Sequence, residues 1–232
     1  MKIIAYRQSD DIDIQFLDKD GYIFKHQTYS NFKSGGIKNP YDRCIFGIGY
    51  LGEGNAQQKT QVGYRWRGML ERCYCDRMKK IHPAYYGIST VCEEWLNFQV
   101  FAKWYNENVY QVGTERMHLD KDILFEGNKI YSPEMCSLVP PNINGLFTKC
   151  DKSRGDLPIG VSKHRKKYRA GISINKHHII LPVRNTVEEA FIDYKNIKEE
   201  NIKKIAQEEY NKGNITKKCY EAMMRYEVEI TD

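Results

Sequence analysis

The side chains with the most chemical capacity stand close together in 118-HLDKDILFEGNKIYSPEMC-136. His118 can move a proton at neutral pH. Asp120 lies two residues on, so at strand spacing the two share one face while Lys121 points away. Asp120 and Asp122 also share a face, and paired carboxylates suit magnesium, an oxygen-seeking ion. Such a set would make a hydrolytic centre, with His118 as base and the two aspartates on a divalent cation. A plainer reading competes. In it His118 is a surface or supporting histidine, and Asp120 pairs with Lys121 or a nearby arginine in a solvated turn.

A second kind of chemistry lies further on. Between Lys149 and His178 the basic residues are Lys149, Lys152, Arg154, Lys163, Arg165, Lys166, Lys167, Arg169 and Lys176, opposed only by Asp151 and Asp156. A block of this kind supplies the phosphate-neutralising part of nucleic-acid binding. Its rival is a solvated lysine-rich loop. The net charge of +6 over 232 residues is modest, so the distribution carries the argument.

Seven cysteines, with no C-x-x-C pair, point to reduced and mostly buried thiols. The sharper alternative is a structural zinc on Cys73, Cys92 and Cys136, with Cys75 as a further candidate. Zinc sites favour paired ligands at short spacing, and Cys73-Tyr74-Cys75 is one residue too tight for the usual knuckle. No apolar run approaches the roughly 20 residues that span a bilayer. The start, MKIIAYRQSDD, turns polar too early for a signal peptide, so the expected compartment is the cytoplasm.

The elements that must position these residues follow from periodicity. Ile12, Ile14 and Phe16 alternate with polar residues, as in a half-buried strand. Asp20-Gly21 is a turn signal, and 22-YIFKHQTY-29 should pair back as a hairpin. The glycine-rich 35–55 segment predicts loops and short strands that end in a flexible joint near 53–60. Trp66, Met69, Leu70 and Cys73 recur at helical spacing. So do Trp95, Phe98, Phe101, Ala102 and Tyr105 within one helix over 93–108, and both stripes read as packed core. Three strands follow, 158–164, 167–175 and 177–185. In the second, Tyr168, Ala170, Ile172 and Ile174 face one way and Arg169, Gly171 and Ser173 the other. Thr186 with Glu189 predicts a capping box opening a helix through Ala190, Phe191, Tyr194 and Ile197. Gly213-Asn214 ends the helical region, and a short helix closes the chain.

Four motifs occur in order: 66-WRGMLERCY-74, 91-VCEEW-95, 120-DKDI-123 and 131-YSPEMC-136. Together they resemble phage-encoded HNH-endonuclease-like proteins, whose frame runs W-x-x-M-x-x-R-C, V-C-x-x-W, L-D-[RK]-x-I and Y-S-P-E-N-C before an asparagine-bearing helix. The segment 159-IGVSKHRKKYRAGISI-174 with 186-TVEEAFIDYK-195 resembles the Apetala-type DNA-binding domain of plant ethylene-response factors. The two resemblances cover roughly residues 60–210.

The first resemblance implies a β-hairpin and a helix around one magnesium or manganese ion. A histidine would take a proton from water and an asparagine would orient it. Here Lys121 stands at the base position, and an ammonium has no lone pair to accept a proton. Met135 replaces the orienting asparagine. Asn142 and Asn144 fit the last motif position. The catalytic candidates are therefore His118, Asp120 and Asn144, and the metal set is Asp120, Asp122 and Asn144. The second resemblance implies a sheet laid in the major groove, with Lys163, Arg165, Lys167, Arg169 and Arg184 as DNA contacts. Pro182 departs from that pattern, removes a ladder donor and predicts an edge strand.

The expected architecture is α+β in three modules. Residues 1–58 form a β-rich module, 59–150 an HNH-like ββα frame with helices, and 151–232 a three-stranded sheet with a helix and a closing helix. The expected function is DNA binding on a nuclease-like frame whose catalytic residues are degenerate, with double-stranded DNA as partner. The rivals are a non-catalytic DNA-binding regulator and a phage interaction protein that binds and inhibits a host or defence protein.

Overall fold

The computed structural model describes residues 1–81, 83, 85–148, 156–175 and 177–231. The fold is α+β. The chain divides into two units, 1–105 and 106–232. This division does not follow the expected three modules, and the packing within each unit gives the reason.

In the first unit, strands β1 (Lys2–Gln8), β2 (Asp11–Gln15) and β3 (Ile23–Gln27) form an antiparallel sheet with β2 at its centre. The alternation in 11-DIDIQ-15 puts Ile12 and Ile14 fully inside, against Ile37 and flanking aromatics. The expected hairpin forms, but β3 stops at Gln27. Thr28 instead caps a short helix, α1 (Tyr29–Lys33), by accepting from the Asn31 N–H.

The segment after it is no flexible joint. Tyr50 N–H donates to Leu96 O (2.9 Å), and Phe98 N–H donates to Tyr50 O (3.0 Å). The Gln99 amide brackets Ala56, accepting from its N–H (2.9 Å) and donating to its carbonyl (3.1 Å). Gly49 lies so close to helix α2 (Gln61–Tyr74) that a Cβ there would come within 2.5 Å of Leu70. These ties make residues 44–56 part of the helical body, so no boundary falls at 58.

Helix α2 buries the expected stripe of Trp66, Met69, Leu70 and Cys73. A short helix, α3 (Met78–Ile81), and strand β4 (Thr90–Val91) follow. The expected single helix over 93–108 is two, α4 (Glu93–Leu96) and α5 (Phe98–Asn108). Asn97 bridges to Tyr50 as strand does, so it cannot remain helical. Its side chain accepts from the Gln99 N–H (2.9 Å) and starts α5 afresh.

In the second unit, β5 (His118–Asp120) pairs antiparallel with β7 (Ser137–Val139). Between them runs a loop holding β6 (Ile130–Tyr131). Helix α6 (Pro141–Leu146) follows β7 directly and packs on β5. Its Pro at the first turn removes an N–H that would lack a partner anyway. The order is strand, loop, strand, helix.

Strands β8 (Val161–His164), β9 (Lys167–Ile174) and β10 (His177–Arg184) form an antiparallel sheet, with β9 central and β10 on an edge. The edge position suits Pro182, as expected. Helix α7 (Val187–Asn211) opens with the expected capping box, both hydrogen bonds between Thr186 and Glu189 being present. Its first half lays Ala190, Phe191 and Tyr194 on the sheet beside Val161, Ala170 and Ile172. Its second half lays Ile202 and Ala206 on Ile123, Leu124, Val139 and Ile143 of the strand–loop–strand–helix motif. Helix α8 (Lys217–Met224) completes that second core with Cys219, Ala222 and Met223. One 25-residue helix thus serves two cores. Each large buried aliphatic side chain contributes about 1.5–3 kcal/mol, so the two halves are stabilised together.

Candidate functional site

The first candidate begins at the end of β5. The strand stops at Asp120, so strand spacing does not carry on to Asp122. Asp120 Oδ1 accepts from the backbone N–H of Asp122 (2.7 Å) and of Ile123 (2.8 Å), which bends the chain. Burial raises the Asp120 carboxyl above the ordinary range, against the lowering effect of those two N–H groups. The Cys219 thiol in the same unit is pushed up to about 12 by burial and by Asp120, so it is inert as a nucleophile.

Lys121 has a side chain only 4% exposed. Its ammonium donates to both carboxylate oxygens of Asp122 (2.8 and 2.7 Å) and to Asn128 O (2.9 Å). The Tyr131 ring lies 6.0 Å away. Asn128 closes the loop: its amide donates to Lys121 O and Ile130 O (both 2.8 Å) and accepts from the Ile130 N–H (3.1 Å). Lys121 thus hydrogen-bonds to Asp122, and its charge also acts on Asp120, the partner the plainer reading gave it.

His118 and Asp120 share the half-buried edge of β5, opposite Val139 and Ser137. Asn144 is half-buried on α6, the helix packed against β5. Asn142 is exposed, and its Oδ1 accepts from the Ile143 N–H (2.9 Å) at the start of its own helix. Met135 lies at the Ser-Pro turn before β7, with its N–H on Ser132 Oγ (3.4 Å). A divalent cation does not fit this donor set well. Asp122 already holds an ammonium, and one oxygen of Asp120 is spent on two backbone N–H groups.

Among the described residues, the cluster of three acidic, histidine or cysteine side chains close enough to share an ion is elsewhere, at Asp11, Asp13 and His26. The Arg7 guanidinium already fills it, with bonds of 2.6 Å to both Asp11 oxygens and further bonds to Asp13. Arg7 pulls both carboxyls down to about 2. Cys73, Cys75 and Cys92, three of the expected zinc ligands, do not form such a cluster. Cys136 belongs to the other unit.

The second candidate is the face of the β8–β10 sheet turned away from α7. Register places its residues. Ser162 stands opposite Arg169, His164 opposite Lys167, Val183 opposite Arg169, Ile180 opposite Gly171, and His178 opposite Ser173. Arg169, Gly171 and Ser173 alternate with buried Ala170 and Ile172, as expected. No acid occurs between Val161 and Arg184. Arg165 occupies the tight β8–β9 turn at φ 58°, and its side chain is exposed. Gly171 leaves room that the His178 ring fills, since a Cβ would lie 3.0 Å from that ring. Ser173 Oγ is 3.3 Å from His178 Nδ1.

Two of the five expected DNA contacts fall on the other side. Arg184 stands opposite Tyr168 and turns toward the helix, where it grips Asp193 at 2.7 and 3.1 Å. The cause is a bulge between Ile180 and Val183. One extra residue reverses the alternation, so Val183 takes the outer face and Arg184 the inner. Lys163 also stands opposite Tyr168 by register, although it is exposed at the sheet's end. Lys167 and Arg169 remain on the outer face, with Arg165 at its rim. The basic residues at 149–155 and 176 lie outside the described residues. Comparison with protein-family models, with curated proteins and with solved structures gives no match.

Proposed function

We propose that this chain is a DNA-binding protein built on an HNH-like frame that no longer cleaves. The observation that carries the reading is the outer sheet face, where Lys167, Arg169 and Arg165 stand with no acid from Val161 to Arg184. A sheet face of this size fits the major groove, and arginine can contact guanine while lysine neutralises phosphate. The strand–loop–strand–helix order from β5 to α6 supports the HNH-like ancestry. Lys121 argues against cleavage, because a buried ammonium bound to Asp122 occupies the place where such a centre needs a base and a metal ligand.

The second reading retains magnesium- or manganese-dependent cleavage with His118 as base. It draws on the shared edge of His118 and Asp120 and on the placement of Asn144 on the helix against their strand. A plasmid assay separates the two. The full chain should shift linear duplex DNA at low salt and leave supercoiled plasmid intact with either metal. Nicking that disappears in His118→Ala and Asp120→Ala would establish the second reading instead. No duplex shift at low salt would sink both, and recovery of a host protein in a pull-down would then favour an interaction protein. Among the described residues, no helix is long and apolar enough to cross a membrane.

A further inference from the structure

The outer sheet face carries two side chains that phosphate binding does not need. Ile180 is 56% exposed and Val183 44% exposed. On the open face of an antiparallel sheet, alternation ordinarily places polar residues. The register puts both aliphatic chains beside the basic ones, with Val183 directly opposite Arg169 and Ile180 directly opposite Gly171. At the centre of the face, the His178 ring lies in the space that a side chain at Gly171 would take. An arginine thus stands next to a small apolar step on strands that carry no acid.

In the major groove, guanine offers two acceptors that arginine can bridge, and the apolar feature of a base edge is the 5-methyl group of a pyrimidine. Cross-strand neighbours lie about 4.5–5.5 Å apart at Cβ, a spacing that lets Arg169 and Val183 reach the same or adjacent base pairs. We infer that this face reads a 5-methylpyrimidine beside a guanine, with Ile180 and Val183 on the methyl and Arg169 on the guanine. The inference rests on the DNA-binding reading and adds a base preference to it. Thymine and 5-methylcytosine both carry the group.

The test uses the full chain and a duplex selected by it from a random pool. The duplex is remade with deoxyuridine for thymidine, which deletes only the methyl groups. A second pair of duplexes compares cytosine with 5-methylcytosine. Removal of a methyl that the protein touches should weaken binding about fourfold, the worth of one buried methylene. Weakening by deoxyuridine assigns the methyl to thymine, and tighter binding of the methylated duplex assigns it to 5-methylcytosine. Either result supports the inference. The Ile180→Ala/Val183→Ala variant should erase the difference while still binding at low salt. Both residues are exposed, so the variant should keep its fold, which circular dichroism checks. Duplex binding that ignores both modifications overturns the inference and leaves DNA binding standing. So does a variant that changes only the oligomeric state, since the face would then pack against a second copy. No duplex binding at all removes the underlying reading as well.

Discussion

The Lys121 ammonium lies 2.7 and 2.8 Å from the two carboxylate oxygens of Asp122, the residue that follows it. The pair is asymmetric, with the lysine side chain 4% exposed and the aspartate 39% exposed. The lysine reaches inward to Asn128 O as well, so it braces the loop between β5 and β7 from within. The buried side chain at 121 thus serves the structure of the loop.

This makes Lys121 a stability residue. Lys121→Met keeps the length of the side chain and removes the charge, which leaves Asn128 O without its donor. Because Asp122 can turn to water, the cost should be about 1–3 kcal/mol, below that of breaking a fully buried pair. Asn128→Ala should cost a similar amount, and the double variant less than the sum, since both belong to one network. Urea unfolding of the three variants measures this. A Lys121→Met protein as stable as wild type would refute the brace.

Asp120 gives a pH dependence. Its folded carboxyl titrates above the ordinary range because it is buried. The protonated form is therefore favoured by folding, and the contribution present at low pH is lost as pH rises through the folded pKa. Asp120→Asn keeps an acceptor for the N–H groups of Asp122 and Ile123 without the charge. The variant should be more stable than wild type near neutrality, and the gap should close on going from about pH 7 to about pH 3.5. Thermal melts across that range test it, and a gap that stays constant would count against burial as the cause.

The sheet face predicts different outcomes for its arginines. Arg165→Ala/Arg169→Ala should weaken duplex binding and, with Arg169 on a guanine, reduce the slope of log K against log salt by about 1, for the phosphate that Arg165 no longer neutralises. A slope change nearer to about 2 would put both arginines on phosphates and count against the guanine contact. Arg184→Ala should leave DNA affinity within about twofold, because its side chain lies on the inner face. Its exposed pair with Asp193, screened by solvent, contributes little to stability. A large drop in affinity in Arg184→Ala would mean that the inner-face placement is not the one that meets DNA.

Local elements are legible in the sequence, and long-range ties are not. Alternation through Tyr168–Ile174 and the Thr186–Glu189 box need only neighbours along the chain, and both form as expected. Strict alternation carried through Pro182 puts Arg184 on the wrong face, although proline in a strand signals a bulge as readily as an edge. The signal for that reversal is in the sequence, at Pro182 itself. Asn97 and Gln99 look like ordinary positions of one amphipathic helix, and only their bonds to Tyr50 and Ala56, more than 40 residues back, break the helix and fix the loop. For the candidate centre, the sequence shows a lysine at 121, where the resemblance to HNH-like proteins leads one to expect a base. It does not show that Lys121 is buried or that Asp122 is its partner, because both depend on the chain leaving the strand at Asp120.

The long helix supplies a test of how the second unit is organised. Ile202 is fully buried, and its neighbours come from the β5–α6 motif and α8, whereas Phe191 and Tyr194 serve the sheet. A fragment beginning at residue 156 would keep the sheet and the whole helix but lose Ile123, Leu124, Val139 and Ile143. Ile202 and Ala206 would then face water, along with Met223. Such a fragment should be poorly soluble or lack a cooperative melt, while a fragment from residue 106 should melt in one transition. In the full chain, Ile202→Ala should cost about 2–5 kcal/mol, the range for truncating a large aliphatic side chain in a packed core. Amide exchange should then quicken in the sheet as well as in β5 and β7, because the helix is common to both. Faster exchange in β5 and β7 alone, together with a cooperatively folding 156–232 fragment, would show that the sheet and its helix are independent of the motif beside them.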